Sequence, residues 1–172
     1  MGKKRSITGA LWGQFDSSMQ MMERLIQGCP NDRWTELCGQ VPFWHQVYHV
    51  VFFIDFWLRK DYRDENFRSM QLDPRISPEL GDPIPAGLLI SREDMSHYLN
   101  LIWEKSKAIF DGLEDNVMGR EVVEGAENYT WADIITGQIR HIMYNIGYLN
   151  AFLRQDGLPE SDWYAYNEEP GS

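Results

Sequence analysis

The sequence predicts an all-α chain of four helices with one long crossover. Three observations carry that prediction. Apolar residues recur at spacings of three and four in four separate stretches, the period of an amphipathic helix. No stretch shows a convincing alternation of the strand type. A proline-containing connection over residues 61–90 separates the second helical stretch from the third, long enough to cross the length of a bundle.

The first helix is expected from Ser6 to Gln27. Leu11, Phe15, Met19, Met22 and Ile26 form its apolar stripe. "GCPND" ends it, because Gly28 suits a helix end and Pro30 prevents continuation. The second helix is expected from Pro42, a favoured first position, to Lys60. Apolar residues cover most of its circumference, so it is buried or faces a partner. Asp55 lies inside it and needs a partner there, with Arg59 at i+4 the candidate.

The connection over 61–90 opens with the charged run "DYRDENF" and then carries Pro74, Pro78, Pro83 and Pro85. Helices joined this way can lie parallel. "SRED" opens the third helix as a capping box of Ser91 with Asp94, and Leu99, Ile102, Trp103, Ile109 and Phe110 supply its buried side. The helix is expected to fray near "EDN", and 117–129 to form a polar loop. "TWAD" repeats the capping logic with Thr130 and Asp133. The fourth helix runs to Gln155 and is stopped by Gly157 and Pro159. In the tail, Trp163, Tyr164 and Tyr166 are expected to pack back onto the bundle.

Composition narrows the function. With 172 residues and 43% hydrophobic content, the chain suits one domain, 1–172, with a sizeable core. A net charge of -10 repels phosphate backbones, so no nucleic-acid partner is expected, and "KKR" at 3–5 is too short to reverse that. The longest apolar run, "VVFFIDFWL", is too short to span a membrane. Cys29 and Cys38 make no disulfide framework and are expected as reduced thiols. With no apolar signal-peptide core, the expected location is cytoplasmic. "MGKKRS" fits a myristoylation pattern at Gly2 and Ser6, and "NYT" a glycosylation sequon; both are short enough to match by chance. No phosphate-binding glycine loop and no GxSxG elbow is present.

The histidines carry the remaining chemistry. His45 and His49 lie one turn apart in the second helix, and His141 lies in the fourth, one turn before Asn145. Side chains at i and i+4 share a helix face, with Cβ atoms about 5–6 Å apart, so both can reach one cation. Neutral imidazole suits zinc or nickel, whereas an Asn oxygen suits harder ions. Gln138 and Tyr148 extend the same face into a polar stripe, Gln138–His141–Asn145–Tyr148. The same residues would also serve as hydrogen-bonded core groups. His97, near the start of the third helix, is expected at the surface.

"PFWHQVYHVVFFIDFWL" at 42–58 and "IRHIMYNIGYLNAFLRQDG" at 139–157 resemble the second- and fourth-helix segments of DinB-like (DinB/YfiT-type) metalloenzymes. "CPNDRW" and "SREDMSHYL" fit the same pattern. The resemblance implies a four-helix bundle with its long connection between helices two and three. Metal-binding members use one histidine from the second helix and two from the fourth. His49 falls on the first of these positions and His141 on the second. Asn145 stands at the third, and Tyr148 stands where Gln is common. His45 matches no ligand position.

The resemblance thus implies a divalent metal (nickel, zinc or manganese) at His49, His141 and Asn145. Tyr148 or His45 would donate a hydrogen bond to what the ion holds. The implied activity is that of a metal-dependent hydrolase or thiol transferase acting on a small molecule or thiol. Two other readings stand beside it. One is a metal-free small-molecule-binding protein whose pocket is walled by Trp44, Phe52 and Tyr144. The other is an interaction module that forms a homodimer through its aromatic second helix or its tail.

Overall fold

Four long helices carry the fold, and three of them begin at a side-chain cap. The computed structural model describes residues 6–59, 61–64, 69–119, 122–123 and 125–163. Gly2, the cluster at 3–5, Lys60, Tyr164 and Tyr166 lie outside the described residues.

Helix α1, Ile7–Gly28, starts where the Ser6 hydroxyl accepts the Gly9 N–H, and its predicted residues Phe15, Met19, Met22 and Ile26 are fully buried. A short helix α2, Asn31–Trp34, follows. Strands β1, Leu37–Cys38, and β2, Val41–Pro42, then pair antiparallel, turning at Gly39 with φ 76°. Helix α3, Phe43–Trp57, follows directly, with Pro42 as its cap residue rather than its first turn. Helix α4, Arg92–Phe110, is capped by the Ser91 hydroxyl, which accepts the Asp94 N–H at 3.0 Å.

Two departures from the expected helix-and-loop pattern come next in the chain. Instead of fraying, "EDN" leads into a one-turn helix α5, Asp115–Met118. The Asp115 carboxylate accepts the Ile7 and Thr8 N–H groups at the start of α1. The polar loop contains a hairpin of β3, Val122–Val123, and β4, Ala126–Thr130. Its Gly125 has φ 81°, and a Cβ there would lie 2.8 Å from the Tyr62 and Arg63 backbone, so only glycine fits this close approach. The hairpin runs into α6, Trp131–Gln155, through the complete capping box of Thr130 and Asp133.

The core is a single cluster between the four long helices. Helix α1 packs against α4 and α6, and α3 packs against the same two. Tyr48 meets Tyr98 and Asp55 meets Lys105, so α3 and α4 run parallel. Gln46 meets Asn145 and His49 meets His141, so α3 and α6 run antiparallel.

The connection from α3 to α4 has no helix or strand among its described residues. Side chains stitch it down instead. His45 Nε2 reaches the Ser77 carbonyl at 2.7 Å, and His49 Nδ1 the Pro78 carbonyl at 2.9 Å. Trp34 Nε1 donates to the Ile90 carbonyl at 2.9 Å, and Tyr98 donates to the Met70 carbonyl. The Asp55 carboxylate accepts the Met70 N–H at 2.7 Å. These bonds explain why an otherwise apolar helix carries His45, His49 and Asp55: a covered backbone needs partners. The ionic partner of Asp55 is Lys105 on α4, not Arg59. Arg59 places its guanidinium over the rings of Phe56 and Tyr62.

Cys29 and Cys38 are buried free thiols, and burial pushes the Cys29 thiol up to about 12. His97 is exposed, as expected. The tail returns to the bundle through Ser161, which bonds Asn150 and the Met21 carbonyl, while Trp163 stays exposed, against expectation. Among the described residues no helix is long and apolar enough to cross a membrane.

Candidate functional site

The antiparallel crossing of α3 and α6 brings together two imidazoles 92 positions apart in the chain. His49 Nε2 and His141 Nε2 stand 3.2 Å apart, with ring planes at 75°. The protonation pattern follows from the neighbours. The Pro78 carbonyl can only accept, so His49 Nδ1 donates to it. A neutral His49 then presents a bare lone pair at Nε2, directed at His141. His141 Nδ1 has no protein partner among the described residues, so the tautomer of His141 is free to follow what binds.

Both rings are held neutral. Burial, reinforced by the neighbouring His49, lowers His141 to about 4. Burial also lowers His49, partly opposed by the Pro78 carbonyl and Glu79. Neutral imidazole is the form that ligates metals. Two imidazole nitrogens on one tetrahedral zinc stand about 3.3 Å apart, given Zn–N bonds of about 2.05 Å. The observed separation matches that spacing. It is also within reach of a single N–H···N hydrogen bond from His141 to His49.

A cavity of about 360 Å³ opens beside the pair. Phe53, Trp57, Tyr129 and Ile134 form its apolar walls, and Asp133, Gln138 and Arg140 add polar groups. Phe53 packs on His49 with ring centroids 4.8 Å apart. Gln138 is 6% exposed, and its Oε1 has no hydrogen-bond partner among the described residues. An unpaired buried carbonyl oxygen costs free energy unless something binds it.

Asn145 is placed differently from His49 and His141. It is 3% exposed and does not line the cavity. Its Oδ1 accepts from Gln46 Nε2 at 2.6 Å, and its Nδ2 donates to the His141 carbonyl at 2.8 Å. The amide that the resemblance puts at a ligand position is thus engaged in locking α3 to α6. The other amide of the polar stripe, Gln138, lies one turn on the other side of His141 and lines the cavity, with its Oε1 buried. Among the described residues no group of three or more His, Cys, Asp or Glu side chains could hold an ion. A metal here would rest on His49 and His141, with the Gln138 amide able to add its oxygen only by turning toward the cavity, and with further positions open. Bound there, a divalent ion would act as a Lewis acid toward water or a carbonyl.

The other expected participants lie elsewhere. His45 anchors the crossover at Ser77, and Tyr148 donates to the Cys38 carbonyl at 3.1 Å. Trp44 and Phe52 are core residues and Tyr144 is 76% exposed, so none of the three walls the cavity. The true walls follow from helix geometry. Steps of four from His49 reach Phe53 and Trp57, and steps back from His141 reach Gln138, Gly137 and Ile134. An antiparallel pairing in this register joins those two half-walls. Tyr129 comes from the β3–β4 hairpin, which the sequence pattern did not announce.

Comparison of the chain with protein-family models, with curated proteins and with solved structures finds no match in any of the three. The DinB-like resemblance therefore rests on the quoted segments alone.

Proposed function

We propose that the chain is a DinB-like protein that binds a divalent metal ion, nickel, zinc or manganese, at His49 and His141. The adjoining cavity takes a small organic molecule. The observation that carries the reading is the pair of opposed Nε2 atoms 3.2 Å apart, with the Gln138 amide lining the same cavity and its buried oxygen unpaired among the described residues. Two imidazoles and one amide oxygen make a weak, exchangeable site with room for an exogenous ligand. Hydrolysis or thiol transfer, the chemistries the resemblance implies, both use such an open position. The chain's own contribution is to keep both rings neutral, to orient His49 through Pro78 and to exclude bulk water with Phe53 and Trp57. Metal analysis of protein purified without chelator tests this. Near-stoichiometric metal that is lost in His49→Ala supports it, and metal-free protein that also fails to take up added zinc or nickel refutes it.

A second reading is favoured by the engaged amide of Asn145 and the hydrogen-bonding distance between the rings. In it the histidines form a metal-free polar end to a binding pocket. Thermal stabilisation by a small molecule, unchanged by chelator, would select this reading over the first.

A further inference from the structure

We propose that the cavity beside the histidine pair selects an aromatic carboxylate: a ring joined by a short chain to an acid group. The inference rests on the cavity being the binding site of the preceding reading, but not on a metal being there.

The cavity has two chemically different ends. At one end Trp57 and Tyr129 meet edge to face, with centroids 6.3 Å apart, over Ile134. A flat apolar ring is the shape those walls accept. At the other end Arg140 lies beside the His49–His141 pair. Arg140 is exposed and has no acidic partner among the described residues. In a chain of net charge -10, most arginines have carboxylates to choose from, and Arg33, Arg75 and Arg154 each hold one. A guanidinium left open on an aromatic cavity is a fork for a ligand carboxylate.

Asp133 sets the direction of binding. It lines the aromatic end, and the Thr130 hydroxyl and N–H hold its carboxyl below the usual range, so it is ionised at neutral pH. It therefore repels an acid group from that end. Arg140 is seven residues further along α6, about 10 Å on the same face. At that separation Asp133 is largely screened from a carboxylate on Arg140. His49 and Trp57 are eight residues apart on α3, about 12 Å. That length accommodates a ring, two or three carbons and a carboxylate.

The test uses 3-phenylpropanoate and its uncharged isostere 3-phenylpropanamide, titrated calorimetrically into the full chain at pH 7, with chelator and separately with zinc. The acid is expected to bind about tenfold more tightly than the amide. Arg140→Gln is expected to abolish that difference, and Trp57→Ala to weaken both probes. Arg140 is exposed, so Arg140→Gln should unfold at the wild-type temperature, which checks its fold. Equal affinity for acid and amide, no effect of Arg140→Gln, or binding of neither probe in either state would each overturn the inference. Discrimination of acid from amide by protein that takes up no zinc would sink the metal reading and leave this one standing. Zinc uptake that depends on His49, with acid and amide bound alike, would do the reverse.

Discussion

Gln138→Met is predicted to stabilise the chelator-treated protein while weakening its hold on a metal ion. Gln138 is 6% exposed, and its Oε1 is buried without a partner among the described residues. Leaving such an acceptor unpaired costs about 1–3 kcal/mol. Met matches Gln closely in length and volume, so the exchange removes the orphan without opening a void. The side-chain nitrogen of Gln138 is not among the buried orphans, so removing it forfeits only contact with water. The net gain expected is about 1–2 kcal/mol, or a rise of about 2–8 °C in Tm for a chain of this size. Thermal unfolding in chelator reads that gain. Zinc titration of the same variant should show weaker binding than wild type, because one of three donors is gone. A variant destabilised by 1 kcal/mol or more in chelator would refute the reasoning. It would mean that Gln138 is a satisfied structural amide and that no donor stands open beside the imidazoles.

Other expectations follow from the same geometry. Unfolded histidine takes its proton near pH 6.5, but His141 in the fold resists until about 4, so between those values the unfolded chain binds more protons. Metal-free stability should therefore be full above about pH 6.5 and fall as the pH drops toward 4. Allowing for the part of the ring that faces water, the loss is about 1–2 kcal/mol, and His141→Gln should flatten that slope in pH-dependent urea unfolding. Lys105→Met leaves the Asp55 carboxylate, 2% exposed, with only the Met70 N–H among the described residues, and should cost about 2–3 kcal/mol in urea unfolding. Gly125→Ala forces both a positive φ and a 2.8 Å approach to the 62–63 backbone, and should cost more than about 1 kcal/mol. It should also displace Tyr129, seen as a change in Trp57 fluorescence. Thr130→Ala removes the cap of α6 and should cost about 1 kcal/mol by thermal unfolding.

The long helices were legible because their signals are local. Ser6, Ser91 and Thr130 mark starts through bonds to residues three further on, and the stripe of α1 is set by its own spacing. The length of the connection allowed α3 and α4 to lie parallel, and the contacts of Tyr48 with Tyr98 and Asp55 with Lys105 show that they do. What escaped depends on distant partners. Asp115 looks like a residue in a fraying end until the N–H groups of Ile7 and Thr8 meet it. Asp55 has an arginine one turn away, yet Lys105 wins because α4 lies alongside. The two hairpins are too short to show alternation. At the site, helical spacing offered His45 with His49 and His141 with Asn145, the resemblance singled out His49 and His141, and the fold brings those two together. Asn145 shares a helix face with His141 but turns to Gln46, a choice set by the register of two helices and invisible in either one. Gln138 sat in the same polar stripe, and only the fold shows that it faces the cavity.

The account turns on one locus. Crystals of the protein soaked with zinc or nickel and measured at the metal's absorption edge test it most directly. The account predicts one anomalous peak about 2.0–2.1 Å from the Nε2 atoms of both His49 and His141, with the Gln138 oxygen turned toward it. A fully soaked crystal with no peak there, and the two rings joined by a hydrogen bond, would contradict it.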